Sequence, residues 1–195
     1  MNVAITKQQV QTRNKIHPLL FATILGCVSI TMMFMAWTSA YIVRQAAGNW
    51  LEFRLPTIFF LNTAILFTSS LTLHGSYLFF KRKKEQLYKG LLVVSLLLAL
   101  TFLALQYLGW QQLFDMGVAL DGNPAGSFVY VLSGFHALHI FAGVAVLIVA
   151  LVHAFALRFN PVSPKRKLRF KLTLVIWHFL DFLWLYILTF IILQS

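Results

Sequence analysis

Charge is what this sequence has least of. Only 11% of its 195 residues are Asp, Glu, Lys or Arg, where a soluble domain of this size carries roughly a quarter. Hydrophobic residues make up 59%, with 19 Phe among them, so the composition excludes an ordinary water-soluble domain and points to a chain dissolved in lipid. Cysteine is nearly missing too. Cys27 alone excludes an internal disulfide framework or a metal cage of thiolates. Its place in an apolar run reads as a small hydrophobe in a membrane helix rather than as a reactive thiol. Low-complexity tracts are absent, and no stretch is left over for a second domain.

The charge that is present is mostly basic, for a net +11. Nucleic acid would be one partner for such a balance, but the distribution argues against it. The basic residues sit at the ends of hydrophobic runs, as they do on the inner-facing surface of a membrane protein. Uncharged stretches of 28 residues between Lys15 and Arg44, 26 between Arg54 and Lys81, 25 between Lys89 and Asp115, and 36 between Asp121 and Arg158 divide the chain. A last stretch opens at Lys171 and is broken only by Asp181. A bilayer core about 30 Å thick needs about 20 helical residues, so each stretch can cross once. Strands would have to be shorter, alternate in polarity and close into a barrel.

The reading is therefore all-α: a polytopic bundle of five transmembrane helices over Leu19–Val43, Pro56–Phe80, Gly90–Phe114, Ser127–Leu157 and Leu172–Leu193. An N-terminal tail covers residues 1–18 and the five-helix unit 19–195. Pro56 suits the first turn of the second helix. Asn160, Pro161, Ser163 and Pro164 read as the turn that stops the fourth, whose length demands tilt or protrusion. Thr38-Ser39-Ala40 loosely resembles a signal cleavage site, but the apolar segment before it exceeds the usual 7–15 residues, so an uncleaved anchor is expected. With five spans, fourteen Lys and Arg fall on one side, and Arg44 and Arg54 alone on the other. The positive-inside rule then places the N-terminus in the cytoplasm and the C-terminus outside.

Ionisable groups inside spans are expensive, about 2.5–3.5 kcal/mol for an Asp at a helix centre. Asp181 lies ten residues after Lys171, which is about 15 Å along a helix and near mid-membrane. His178, three residues earlier, shares its face, and Trp177 and Trp184 lie along the same stripe. This set is either a buried His–Asp pair locking the fifth helix to its neighbours or a proton relay or metal second shell. His136 and His139 repeat the spacing on the fourth helix, near Gly143. Ser133, Gly134, Ala137 and Ala142 there allow close helix approach. Packing is the plain reading of these histidines and metal or haem ligation the sharp one. For a di-haem cytochrome, His139 and His153 would need imidazole partners at matched depth. The fifth helix offers only His178 and the second only His74, so two complete pairs cannot be assembled. A transporter would show repeats and mid-span breaks, which five spans with few interior Gly or Pro do not supply. The loop Asp115–Gly126 reads as a turn, without nucleophile triad, phosphate-cradling glycines or paired catalytic carboxylates.

The order of motifs resembles subunit III of the haem–copper oxidases in its short five-helix bacterial form. Leu61-Asn62-Thr63 through Thr68-Ser69-Ser70-Leu71-Thr72 resembles the LNT…TSS.T signature of that family's second helix. Phe102-Leu103 with Gln106 resembles FL..Q on the third. Gly126-Ser127-Phe128-Val129-Tyr130 followed by Ser133-Gly134-Phe135-His136-Ala137-Leu138-His139 and Gly143 resembles GS.FY…TGFH..HV..G. Trp177-His178-Phe179-Leu180-Asp181 and Trp184 resemble WHF.D..W on the last helix. The likeness runs from about residue 20 to the C-terminus.

That resemblance implies an accessory chain without haem or metal of its own, in the bacterial inner membrane. Its partners would be subunits I and II of a proton-pumping cytochrome c oxidase of aa3 or caa3 type, which carry haem a and copper, reduce oxygen to water and serve aerobic electron transport. It also implies bound phospholipid, support of proton uptake and of lipid and oxygen access, and a place in a larger supercomplex with a quinol–cytochrome c reductase. His136, His139, His178, Asp181, Trp177, Trp184 and Asn62 would then be structural or lipid-cleft residues. Subunit III of quinol oxidases is the alternative, ahead of a b-type cytochrome or a small transporter. Two family glutamates are missing: Ile30 follows Ser29 where the first is usual, and Gly109 stands at the second. A direct proton-antenna role inside the membrane does not carry over.

Overall fold

The computed structural model describes residues 17–156 and 163–194. It contains five α-helices: α1 Pro18–Ala46, α2 Ile58–Lys81, α3 Glu85–Asp115, α4 Pro124–Ala156 and α5 Pro164–Gln194. All five are long and apolar enough to cross a membrane, as the charge punctuation requires. The N-terminal tail with Lys7, Arg13 and Lys15, together with Arg158, Asn160 and Pro161, lies outside the described residues.

Local chemistry explains where the helices start and stop. Pro18 opens α1 behind His17, whose Nδ1 accepts the Leu19 N–H at 3.3 Å. Pro124 opens α4 behind Asn123, whose Oδ1 takes the Ala125 N–H at 3.0 Å. Pro164 opens α5 behind Ser163, whose Oγ accepts from Arg166 N at 3.3 Å. Each proline sits where its missing N–H is no loss. Ser163 and Pro164 thus begin the fifth helix rather than only ending the fourth. Pro56 is not inside α2 but immediately precedes its capping residue Thr57, contributing its carbonyl to Phe59 N at 3.1 Å. Asp115 closes α3, and Gly117 turns the chain with φ +81°. There Val118 N bonds Leu113 O at 3.0 Å and Gly117 N bonds Phe114 O at 2.9 Å, satisfying carbonyls that a helix end leaves open.

The helices α2, α3, α4 and α5 form a ring in which each packs against the next and α5 closes back on α2, while α1 lies outside against α4 and α5. Hydrocarbon gives helices no solvent-driven reason to associate, so packing and internal hydrogen bonds must hold the ring. The α2–α3 seam is built from small polar residues. Ser69 Oγ donates to Ser95 O at 3.0 Å, Ser76 Oγ to Tyr88 O at 2.9 Å, and Thr72 Oγ1 pairs with Ser95 Oγ at 2.8 Å. Leu66, Leu73, Leu92, Phe102, Leu132 and Leu147 fill the space between.

The α2–α3 turn and the start of α5 share one end of the bundle, where Phe80, Tyr88 and Phe170 interlock with centroids 5.2–5.7 Å apart. This is the basic end, carrying Lys81–Lys84, Lys89 and the lysines and arginines of residues 165–171. Tyr41, Trp50, Phe128 and Phe190 cluster at the opposite end.

Candidate functional site

The inward stripe of α5 follows from spacing: positions 177, 181 and 184 fall on one helical face, and Trp177, Asp181 and Trp184 are all buried. His178 is rotated off that stripe toward α2. Its Nδ1 is hydrogen-bonded to Ser70 Oγ and lies 3.9 Å from Asp181 Oδ2. On its other side Nε2 stands 3.3 Å from Nδ1 of His74. The result is a carboxyl–imidazole–imidazole row that starts at buried Asp181 and ends at His74 on the exposed surface of α2. Asp181 Oδ1 has no hydrogen-bond partner among the described residues. Chemically the row can clamp α2 to α5 and can share a proton among its members. Its imidazoles belong to two helices joined by no loop, so breaking it separates elements far apart in the chain.

A second polar layer lies nearer the opposite end. Trp184 Nε1 donates to Thr63 Oγ1 at 2.9 Å, and its ring is stacked on Phe59, edge-on to Phe102 and tilted over His136 with centroids 5.0 Å apart. His136 is wholly buried, and neither of its nitrogens has a hydrogen-bond partner among the described residues. Asn62 Nδ2 donates to Gln106 Oε1 at 2.9 Å in a buried amide pair between α2 and α3. Trp110 Nε1 donates to Ser133 Oγ at 2.9 Å, which ties α3 to α4.

The structure separates residues that the sequence puts side by side. His136 points into the ring, whereas His139 lies against Phe34 of α1 and bonds back to Phe135 O at 2.6 Å. His153 likewise bonds Val149 O at 2.8 Å. Among the described residues no three His, Cys, Asp or Glu side chains converge as a metal site. Trp177 packs where Gly143 leaves room: a Cβ there would stand 3.1 Å from Trp177 Cζ3 and from Leu180 Cδ1.

Both departures from the family pattern have a packing account. Ile30 is partly buried against the core. At Gly109 a Cβ would come within 3.2 Å of Ile58 and Phe59, so α3 presses on α2 where a glutamate would have to be accommodated. Reading the sequence left Ser70, His74, Gln106 and Thr63 without partners. The available signal was that a polar side chain inside a span needs one.

This arrangement of polar pairs sealed by aromatic rings can now be set beside known proteins. The family model described as Cytochrome c oxidase subunit III matches residues 9–195. The chain belongs to the cytochrome c oxidase subunit III family. Its relatives in that family include the probable cytochrome c oxidase subunit 3 of Nocardia farcinica, 27% identical over 93% of this chain and 90% of the relative. The protein of the same description from Mycobacterium tuberculosis is 27% identical over 95% and 92%. A heme-copper oxidase subunit I+III of Aeropyrum pernix is 31% identical over 62% of this chain and 14% of the larger protein. Membership makes the chain a multi-pass membrane subunit of the haem–copper oxidase class.

Proposed function

We propose that this chain is the accessory, cofactor-free subunit III of an aa3- or caa3-type cytochrome c oxidase in a bacterial inner membrane. It braces subunit I, which with subunit II carries haem a and copper. In doing so it supports proton uptake, lipid and oxygen access, and assembly with a quinol–cytochrome c reductase, and phospholipid is among its ligands. The N-terminus is cytoplasmic, because the basic end of the bundle belongs on the inner side.

One observation carries the cofactor-free reading. The intramembrane histidines are held by this chain's own groups: His178 by Ser70, Asp181 and His74, His139 and His153 by helix carbonyls, and His136 by the rings of Phe102 and Trp184. Side chains placed this way lock helices together, and among the described residues no three of them converge as ligands.

The test is to purify the oxidase with and without this chain. The expected result is that subunits I and II alone keep the haem spectrum and initial electron transfer but lose activity faster during turnover. Loss of haem a in proportion to loss of this chain would contradict the reading.

A further inference from the structure

Among the described residues, the buried side-chain atoms left without a hydrogen-bond partner belong to Asn62, Gln106, His136, Trp177 and Asp181. All of them lie on the ring helices and none on α1. Burying a polar group unpaired is costly, so such atoms in folded proteins are almost always matched by protein or by ordered water. Two of these atoms are complementary and stand one turn apart on one helix face. The Trp177 Nε1–H can only donate, and Asp181 Oδ1 can accept.

The orientation of each group is fixed by its other contacts. The Trp177 edge that meets α4 is Cε3–Cζ3: a Cβ on Gly143 would lie 3.1 Å from Cζ3 and 3.3 Å from Cε3. In an indole that edge is opposite Nε1, so the N–H is turned away from α4. Asp181 presents Oδ2 to His178, 3.9 Å from its Nδ1, which leaves Oδ1 to the other side. Helical side chains lean toward the N-terminus, and residues i and i+4 lie one above the other, about 5–6 Å apart at Cβ. The Asp181 carboxyl is thus set back toward the Trp177 ring. Nε1 and Oδ1 do not bond each other. Both residues are sealed from the surface, Trp177 at 1% exposure and Asp181 at 8%.

We propose that Trp177 and Asp181 hold one internal water molecule. The water oxygen accepts the Trp177 Nε1–H, and one of the water hydrogens goes to Asp181 Oδ1. Two bonds of ordinary length meeting at a water place their end atoms about 4.7 Å apart, a span that side chains one helical turn apart can bridge. The chemistry of the pair selects the ligand. It must accept from an N–H and donate to a carboxyl oxygen through a single small atom. A metal cation cannot accept, a simple anion cannot donate and an acyl chain can do neither, whereas buried water routinely does both. The bound water extends the row of His74, His178 and Asp181 by two members to Trp177, which packs at Gly143. A hydrogen-bonded line then crosses the bundle from the exposed side of α2 to the seam of α4 with α5. This site goes beyond the accessory role and does not depend on it.

The full chain in detergent, with isotope-labelled indole nitrogens, tests this by NMR cross-relaxation between water and the indole N–H groups. The Trp177 signal is assigned through Trp177→Phe. A direct water peak is expected at the Trp177 N–H. It should survive in Ser70→Ala, which removes the hydroxyl beside Asp181 and so excludes relay through it, and it should be lost in Asp181→Leu. No water peak at Trp177, a peak lost with the Ser70 hydroxyl, or one that persists in Asp181→Leu would overturn the proposal. Should Asp181→Leu fail to fold, a map of the assembled oxidase at water-resolving resolution decides. Density between Nε1 and Oδ1, within about 3.2 Å of both, is the expected result. A direct Nε1–Oδ1 bond, or dry packing between the two atoms, would overturn it.

Discussion

α5 and α1 are both long apolar helices in one bundle, yet they are held in opposite ways. Over its most hydrophobic window α5 is 39% buried and α1 only 6%. Helix α5 meets α2, α4 and α1, and carries Trp177, Asp181 and Trp184 into the ring. Helix α1 buries only Phe34, Thr38 and Tyr41. Thr38 Oγ1 pairs with Tyr186 OH at 2.6 Å, and Trp37 packs on Phe135 with centroids 4.4 Å apart. Apolarity decides that both helices lie in the membrane. It does not decide what holds them, because lipid solvates Leu as well as another helix does. Attachment is set by rings that interlock and polar groups that find partners.

Substitutions should therefore divide along that line. Trp184→Ala should have the largest effect, because it removes a ring shared by Phe59, Phe102 and His136 and the donor to Thr63 Oγ1. A loss of about 3–5 kcal/mol, read by unfolding in detergent, is expected, and a loss below about 1 kcal/mol would remove Trp184 from its central place. Gly143→Val comes next: its new side chain must displace Trp177 and Leu180, at about 1–3 kcal/mol. An unchanged unfolding midpoint would show that α4 and α5 have slack at that point. Ser70→Ala deletes the hydroxyl that holds His178 and should cost about 1 kcal/mol. Asp181→Ala in the same background should then cost less than it does alone, since the two act through one imidazole; strict additivity would show that the row is not a unit. Smallest is Leu25→Ala on the exposed part of α1, expected to stay within about 0.5 kcal/mol. A larger drop in the isolated chain would mean that this half of α1 is more firmly anchored than its exposure indicates.

Much of the fold was legible because charge is so scarce that it separates the five apolar stretches. The ends were less so. Helix α5 begins at Pro164, eight residues before the expected Leu172, because Lys and Arg are good helix formers and Ser163 provides a cap where polarity alone suggested a loop. Asn123 was read only as part of a turn. In the structure it also accepts from Leu51 N at 3.3 Å and donates to Asn49 O at 3.1 Å, fastening the α1–α2 link to α4. The site was half legible. His178 and Asp181 are three apart, and helical geometry alone puts them within reach of each other. Their partners Ser70 and His74 are more than 100 residues away, and the register of α2 against α5 is not encoded in any local pattern. The same spacing in His136 and His139 was no guide to a shared role, since three residues turn a helix by about 60°. That is enough to send one ring into the core and the other toward α1.

The most direct test of the account is to tag this chain, extract it in mild detergent, identify its companions by mass spectrometry and record a reduced-minus-oxidised spectrum of the same sample. The account predicts that oxidase subunits I and II co-purify, that haem a is present in the complex, and that the separated chain is colourless. A lone chain carrying b-type haem would contradict it and return the histidines to the role of ligands.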